Sequence, residues 1–193
     1  MAQVVCLVGP MACGKNAIYD KCKQYFTPTK SITTRSIRET EKGDEYIFID
    51  NDTFLKMLNN NEIIEYRKKE LNNKTIYYGT PVTSIDKYSD NIYLKPLDET
   101  GVIALKEYLG EENVISIYLD CDQQIRLKRA KDREPNEDIN LFLKRFNDDK
   151  NTVEKFKNNC DFVFKNETKD DLIYIVNFIK KICENATWKG AGL

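Results

Sequence analysis

The stretch "GPMACGKN", residues 9 to 16, has the residue types and spacing of a phosphate-binding loop. It matches the pattern G-x-x-x-x-G-K-[ST] except at its last place, where Asn16 replaces the hydroxyl residue that would hold Mg²⁺. Glycines at 9 and 14 would let the backbone curl around an anion, and Lys15 would reach the β- and γ-phosphates. We therefore expect a nucleotide phosphate site. The alternative is a chance glycine-rich turn with no chemistry.

The arginines form a second set of candidate residues. Two lie in "TTRSIR" and four lie between positions 126 and 145. A planar guanidinium binds phosphate or carboxylate in a bidentate manner, so this clustering indicates anion recognition. The alternative is a charged helix face in solvent, which we expect for Arg67 and Arg126. Arg129 stays open between the two interpretations.

Strands and helices must alternate along the chain to position these residues. The loop lies between the apolar run "QVVCLVG" and a helical pattern over residues 15–25, which is the context that a phosphate loop requires. The runs "NIYLKPL", "NVISIYLD" and "DFVFKN" are also typical of buried strands, and a helical pattern follows each of them. We predict an α/β fold, with a parallel sheet flanked by helices on both faces.

Residues 31–80 interrupt this alternation. Polar turns such as "RETEKGDE" separate short alternating pieces such as "EYIFID" and "EIIEYRK". We predict a small antiparallel insertion on the α/β core, with a helix near residues 51–60 that begins at the Asn51–Asp52 pair.

The composition excludes several classes of function. A net charge of −1 gives no general reason to expect binding to nucleic acid or to a membrane. The chain has no histidine, so catalysis by an imidazole base is excluded. Its 6 cysteines include no C-x-x-C pair, and we expect buried, inert thiols rather than a zinc site.

The first apolar stretch is too short for a signal peptide, and no run could span a bilayer, so we expect one cytoplasmic domain of 193 residues.

These motifs, taken in order, resemble the guanylate kinases, P-loop enzymes that transfer a phosphoryl group from ATP to GMP. The similarity runs from about residue 3 to residue 183, through "GPMACGK", "SITTRSIRETEKGDEY", "NEIIEY", "YYGT", "LDETGV", "REPNEDI" and "DFVFKN". It implies a P-loop NTPase-type sheet flanked by helices, an NMP-binding insertion at about 31–80 and a helical lid at about 129–147. The implied reaction is transfer of the γ-phosphoryl group of ATP to GMP or dGMP.

The resemblance also implies roles for the matching residues. The implied ATP-binding residues are Gly9, Pro10, Met11, Ala12, Cys13, Gly14, Lys15, Asn16, Ala17 and, near the adenine, Asn166. The GMP phosphate would be held by Arg35, Arg38, Tyr46 and Tyr78, and guanine would be read by Ser31, Glu65, Thr80 and Asp98. The implied catalytic residues are Lys15, Arg38, Arg133 and Arg145. Mg²⁺ would accompany ATP as the cofactor, with Asn16 as its protein ligand.

Two residues depart from the family's pattern, and both departures weaken the protein's hold on Mg²⁺. Asn16 replaces a hydroxyl residue, and Pro96 takes a place where many members carry an aspartate. One alternative is therefore a P-loop kinase of another acceptor, either a wider range of nucleoside monophosphates or ribose 1,5-bisphosphate. The other is a guanylate kinase-like module that binds peptides without catalysis. The sequence predicts no oligomeric state.

Overall fold

The computed structural model describes residues 1–37, 46–71, 74–133, 143, 146–147 and 153–185, with the backbone alone at Leu71 and Arg133. Its strands are β1 Gln3–Val8, β2 Ser31–Thr33, β3 Tyr46–Phe48, β4 Ile63–Leu71, β5 Lys74–Pro81, β6 Ile92–Pro96, β7 Val114–Asp120 and β8 Phe162–Lys165. Its longer helices are α1 Lys15–Cys22, α2 Asn51–Asn59, α3 Glu99–Leu109, α4 Gln123–Arg133 and α5 Lys169–Glu184. Within these residues, no helix combines the length and the apolarity needed to cross a membrane.

The core sheet has the strand order β6-β1-β7-β8, and all its strands are parallel. Alternate residues of the apolar strand β1 face opposite sides, as strand geometry requires. Val5 and Leu7 pack in the cluster that includes residues of α1 and α5, whereas Val4 and Cys6 pack in the cluster that includes residues of α3. The prediction of a parallel sheet flanked by helices on both faces is therefore confirmed.

A second sheet, of order β3-β2-β5-β4, takes all its strands from residues 31–81. The pairs β2–β5 and β4–β5 are antiparallel, but β2 and β3 are parallel. The prediction of an antiparallel insertion was wrong for that pair, because hydrophobic alternation gives the strand period and not the direction of pairing.

The predicted helix near 51–60 is confirmed as α2, but its first turn is capped one residue earlier than predicted. Asp50 is the N-cap, and its Oδ1 accepts from the backbone N–H of Thr53 at 2.7 Å. This bond satisfies one of the free N–H groups of the first turn. The hydrogen bond also lowers the pKa of the Asp50 carboxyl.

Candidate functional site

The phosphate loop joins β1 to α1, and three of its residues have positive φ: Gly9 at 146°, Ala12 at 62° and Gly14 at 103°. A Cβ on Gly9 would lie 2.7 Å from Cys13 Sγ and 2.8 Å from the Leu119 carbonyl oxygen. The two glycines are therefore required by both conformation and space. They let the chain turn sharply from the core sheet into the N-terminus of α1, where free N–H groups and the helix dipole favour an anion.

Lys15, the first residue of α1, folds back over the loop. Its Nζ donates to the Gly9 carbonyl, to the Pro10 carbonyl at 3.1 Å, and more weakly to Cys13 Sγ at 3.8 Å. The ammonium is therefore held against the phosphate loop itself.

Asn166, in the segment after β8, packs against the phosphate loop and is only 2% exposed. Its Nδ2 donates to the Cys13 carbonyl at 2.8 Å, and a Cβ on Gly14 would come within 2.4 Å of that nitrogen. The resemblance implied a place near adenine for Asn166. The structure gives its amide nitrogen a role in shaping the loop, while its buried Oδ1 has no hydrogen-bond partner among the described residues.

Arg129, on α4, also contacts the phosphate loop and the segment after β8. The sequence had left its role open between anion binding and a solvated helix face. One of its terminal nitrogens donates to the Asn166 carbonyl at 2.9 Å and the other to the Glu167 carbonyl at 3.0 Å. A longer bond of 3.5 Å reaches the Cys13 carbonyl. The guanidinium thus joins the phosphate loop to the segment after β8, and it shapes the loop through backbone oxygens.

Glu65 and Thr80 form a pair on the second sheet. They are directly opposite on β4 and β5, and Thr80 Oγ1 donates to Glu65 Oε1 at 2.5 Å. Burial raises the pKa of the Glu65 carboxyl, and the negative charge of Asp98 adds to the rise. The hydrogen bond from Thr80 and the positive charge of Lys95 lower this pKa and so oppose the rise. The other carboxylate oxygen of Glu65, Oε2, faces Gly101 in the first turn of α3. A Cβ added to Gly101 would lie 3.3 Å from Oε2, so the carboxylate is close to the start of this helix.

Arg35 packs against an aromatic group on the second sheet. Its guanidinium carbon lies 5.2 Å from the ring centroid of Tyr46 and 5.4 Å from that of Phe48. Tyr46 also meets Tyr78 edge to face, with 6.0 Å between the centroids. Three of the four residues assigned to the GMP phosphate, Arg35, Tyr46 and Tyr78, therefore lie together.

Asp98 is the N-cap of α3, and its Oδ1 accepts from the Gly101 N–H at 3.0 Å and from Thr100 Oγ1 at 2.8 Å. Its Oδ2 lies 3.3 Å from Arg67 NH1. Arg67 therefore pairs with a carboxylate that the resemblance assigns to guanine, and our expectation of a merely solvated charge was wrong. The pair ties β4 to the beginning of α3.

Arg126 was expected on a solvated helix face, and this expectation was also wrong. It is 2% exposed, and its Nε donates to the Cys121 carbonyl at 3.2 Å. Its guanidinium lies 4.5 Å from the Phe146 ring centroid and 3.5 Å from Glu154 Oε1. The side chain packs α4 against the later part of the chain.

Sequence reasoning missed Lys95, the residue before Pro96 on β6. It is 3% exposed, and its Nζ donates to Ser31 Oγ at 3.1 Å. Burial lowers its pKa to about 8, while the charges of Glu65 and Cys6 oppose that fall. The signal was in the strand pattern, because Lys95 shares a strand face with the buried Tyr93.

The phosphate loop and the second sheet meet at a cavity of about 70 Å³ whose lining includes Asn16, Ser31, Tyr46, Lys95 and Pro96. Asn16 is exposed at the second position of α1 and faces this space. Ligand pockets usually have about 300 Å³ or more, so a bound nucleotide would have to widen this cavity. Within the described part of the chain, no three His, Cys, Asp or Glu side chains are grouped to hold a metal ion.

Two predicted site residues, Arg38 and Arg145, lie outside the described residues. Of Arg133 the structure describes only the backbone, at the end of α4. Most of the predicted lid at about 129–147 also lies outside them.

Comparison with known proteins agrees with this architecture. The guanylate kinase family model matches residues 1–182 of the chain. The guanylate kinase of Anaplasma phagocytophilum is 31% identical over 65% of this chain and 61% of that protein. That of Mesoplasma florum is 29% identical over 89% of this chain and 58% of that protein. The chain therefore spans about three fifths of the length of these curated relatives.

The fold has a counterpart among solved structures. The crystal structure of guanylate kinase from Anaplasma phagocytophilum matches 98% of this chain and 88% of that one, with a TM-score of 0.68 and 23% identity. This likeness confirms the α/β fold. Because the family model extends over almost the whole chain, this protein belongs to the guanylate kinase family.

Proposed function

We propose that this chain transfers the γ-phosphoryl group of ATP to GMP or dGMP, giving ADP and the nucleoside diphosphate. The observation that carries the proposal is the Glu65–Thr80 pair, a half-buried carboxylate that interacts electrostatically with Lys95, a residue of the cavity lining. Guanine presents two neighbouring donors, N1–H and the 2-amino group, and adenine lacks that arrangement. A buried carboxylate left unpaired by the wrong base is costly, so such a site discriminates strongly.

The two nucleotides would lie on either side of this cavity, ATP at the phosphate loop and the acceptor at the second sheet. ATP phosphates would lie in the loop from Gly9 to Gly14, where the Lys15 ammonium would exchange the Gly9 and Pro10 carbonyls for phosphate oxygens. The acceptor phosphate would lie against Arg35, Tyr46 and Tyr78, which already form one group. Its base would then reach the hydroxyls of Ser31 and Thr80, and Glu65 beside them.

The reaction needs alignment and charge stabilisation more than covalent chemistry. An oxygen of the acceptor phosphate attacks the γ-phosphorus, the bond from that phosphorus to the β,γ-bridging oxygen breaks, and the electron pair stays with ADP. No general base is needed, because the attacking phosphate is already ionised. We assign stabilisation of the equatorial oxygens to Lys15 and Arg38, joined by Arg133 and Arg145 from a lid at about 129–147.

Asn16 fits a role as the protein's oxygen ligand for Mg²⁺. It is exposed at the N-terminus of α1 and faces the cavity, and an amide oxygen is a hard ligand of the kind this ion accepts. Mg²⁺ keeps several waters and is held largely by nucleotide phosphates, so one protein ligand suffices. When bound with ATP, the ion would neutralise charge that develops on the β- and γ-oxygens.

A coupled assay with ATP and a panel of acceptors tests the proposal. The panel is GMP, dGMP, AMP, CMP and ribose 1,5-bisphosphate, and we expect turnover with GMP or dGMP to exceed that with AMP and CMP by at least about 100-fold. Equal rates with AMP, CMP and GMP would remove the role given to Glu65. No turnover with any acceptor at any Mg²⁺ or Mn²⁺ concentration would contradict the proposal. In that case, ATP binding would be measured by calorimetry. Binding would indicate a nucleotide-binding module without catalysis, and no binding would indicate that the phosphate loop does not hold ATP.

A further inference from the structure

Lys95 places a positive charge in the interior beside the two polar groups of the second sheet. An ammonium at 3% exposure is costly to bury unless its donors are satisfied. It has three N–H donors, and in the described part of the chain its one hydrogen bond goes to Ser31 Oγ at 3.1 Å. Two donors are thus left for a further acceptor in the cavity that Lys95 helps to line.

The charge of Lys95 lies close enough to Glu65, on β4 of the second sheet, for the two groups to interact electrostatically. The Glu65 carboxylate raises the pKa of Lys95 against the effect of burial, and Lys95 in turn lowers that of Glu65, so the two groups feel each other's field. Ser31, the partner of Lys95, begins β2, which is paired with the β5 strand that carries Thr80. Lys95 therefore lies beside two residues assigned to guanine, because it donates to Ser31 and interacts electrostatically with Glu65.

We propose that Lys95 is a specificity-determining residue of the acceptor site, donating from its ammonium to O6 or N7 of guanine while Glu65 accepts from N1–H and the 2-amino group. This inference rests on the proposed function. Guanine carries acceptors at O6 and N7 beside its N1–H and 2-amino donors, and a lysine is among the commonest partners of those two acceptors. Adenine carries an amino group in place of O6, which would face the ammonium donor to donor. The cation and the anion together match guanine and oppose adenine.

The test compares GMP with two analogues that each lose one acceptor. In 6-thio-GMP a sulfur, which accepts hydrogen bonds weakly, replaces O6. In 7-deaza-GMP a C–H group replaces N7. Wild-type protein and Lys95→Met are assayed with all three acceptors at saturating ATP, and thermal unfolding verifies that each protein is folded. Met keeps the length of the side chain and removes its charge and donors.

We expect Lys95→Met to lower kcat/KM for GMP by about 10- to 100-fold, the range for losing a hydrogen bond to a charged group. We also expect the wild type to disfavour one analogue by about 10-fold or more and the variant to accept that analogue within about 2-fold of GMP. Lys106→Met is the matched control, because Lys106 is a partly buried lysine whose partner, Asp161 at 3.9 Å, lies outside the acceptor site. Its analogue preference should equal that of the wild type.

Three outcomes would overturn the inference while leaving the proposed function standing. One is wild-type turnover of GMP with no penalty for either analogue, which decides the matter even if Lys95→Met does not fold. Another is a Lys95→Met variant with unchanged kcat/KM for GMP. The third is a Lys95→Met variant that loses activity with GMP but still disfavours the same analogue as strongly as the wild type does. Lys95 would then not contact the base, and it would act only by keeping Glu65 ionised. A wild type that does not phosphorylate GMP at all would instead overturn the proposed function.

Discussion

Glu65 and Thr80 face each other across β4 and β5 at 2.5 Å, and five residues further along β4 the same pair of residue types recurs. There Thr75 Oγ1 donates to Glu70 Oε1 at 2.9 Å. The inner pair lies against the start of α3, and burial raises the pKa of its carboxyl. The outer pair is exposed, and its hydrogen bonds with Thr75 and Lys68 lower the pKa of its carboxyl. The same strand pair therefore holds two Glu–Thr pairs whose carboxyl pKa values shift in opposite directions, because one carboxyl is desolvated and the other is exposed.

Replacement of Glu65 by Gln should impair use of the acceptor and spare the donor. Gln presents an amide that cannot accept from both guanine donors as the carboxylate does, so we expect kcat/KM for GMP to fall by about 100-fold or more. The Kd for ATP, measured by calorimetry, should stay within about 2-fold of the wild type. Glu70→Gln, the matched control, should change neither quantity. A comparable loss of ATP affinity in Glu65→Gln would contradict the division of the site into two ends.

The close approach of Gly14 to Asn166 should appear as a coupling between two substitutions. Gly14→Ala forces a Cβ to within 2.4 Å of Asn166 Nδ2 at φ 103°, and we expect it to lower the free energy of unfolding by at least about 2 kcal/mol. Asn166→Ala alone should cost about 1–3 kcal/mol, because it removes the bond to Cys13. In the double variant the clash is absent, so the combined cost should be about 1 kcal/mol less than the sum.

Urea denaturation of the four proteins measures this coupling. Gly110→Ala serves as the control partner, because Gly110 also has positive φ, at 94°, but its neighbour is Glu112. Its cost should add to that of Asn166→Ala within about 0.5 kcal/mol. Additivity in the Gly14 cycle as well would mean that Asn166 does not limit the shape of the loop.

Substitution of Asn16 should change the metal requirement more than the nucleotide affinity. Ser restores the hydroxyl at this place, so we expect Asn16→Ser to lower the half-saturating Mg²⁺ concentration by about 3- to 10-fold, and Asn16→Ala to raise it. Initial rates across a Mg²⁺ titration at fixed ATP measure the effect. ATP binding without divalent metal should be equal in the three proteins. Identical Mg²⁺ curves would show that Asn16 is not a ligand.

The charge of Lys95 should give the folded protein a recognisable pH dependence. Burial lowers its pKa from 10.5 to about 8, so between these values the unfolded chain holds a proton that the folded chain has released. The free energy of unfolding therefore rises with pH in this window, by up to about 3 kcal/mol relative to Lys95→Met. The pKa of Cys6 is raised by burial, and its effect above pH 9 acts on both proteins and cancels in the difference.

Urea denaturation of both proteins from pH 7 to 10 checks this expectation. The difference in the free energy of unfolding, wild type minus Lys95→Met, should rise steadily from about pH 8. A flat difference would show that Lys95 is not desolvated in the folded protein, and a falling one would show that folding raises its pKa.

The core sheet and the phosphate loop were predictable because their signals are local. Val4 to Val8 form a continuous apolar run, and Gly9, Gly14 and Lys15 follow it at fixed spacing. Lys95 and Arg126 were not predicted, because their burial depends on partners far away in sequence, Ser31 for one and Phe146 for the other. The parallel pairing of β2 with β3 was missed for a similar reason, since strand direction depends on the intervening chain.

The hydrogen bonds of Lys15 to its own loop affect how the protein without nucleotide receives an anion. Its ammonium donates to two main-chain oxygens, so an anion that enters the loop must take the place of those oxygens. An incoming triphosphate must outcompete those oxygens, and it can do so because it carries full negative charge where they carry only partial charge. Nucleotide binding therefore exchanges an internal contact of Lys15 for a contact with phosphate, and the side chain does not have to be ordered from solvent.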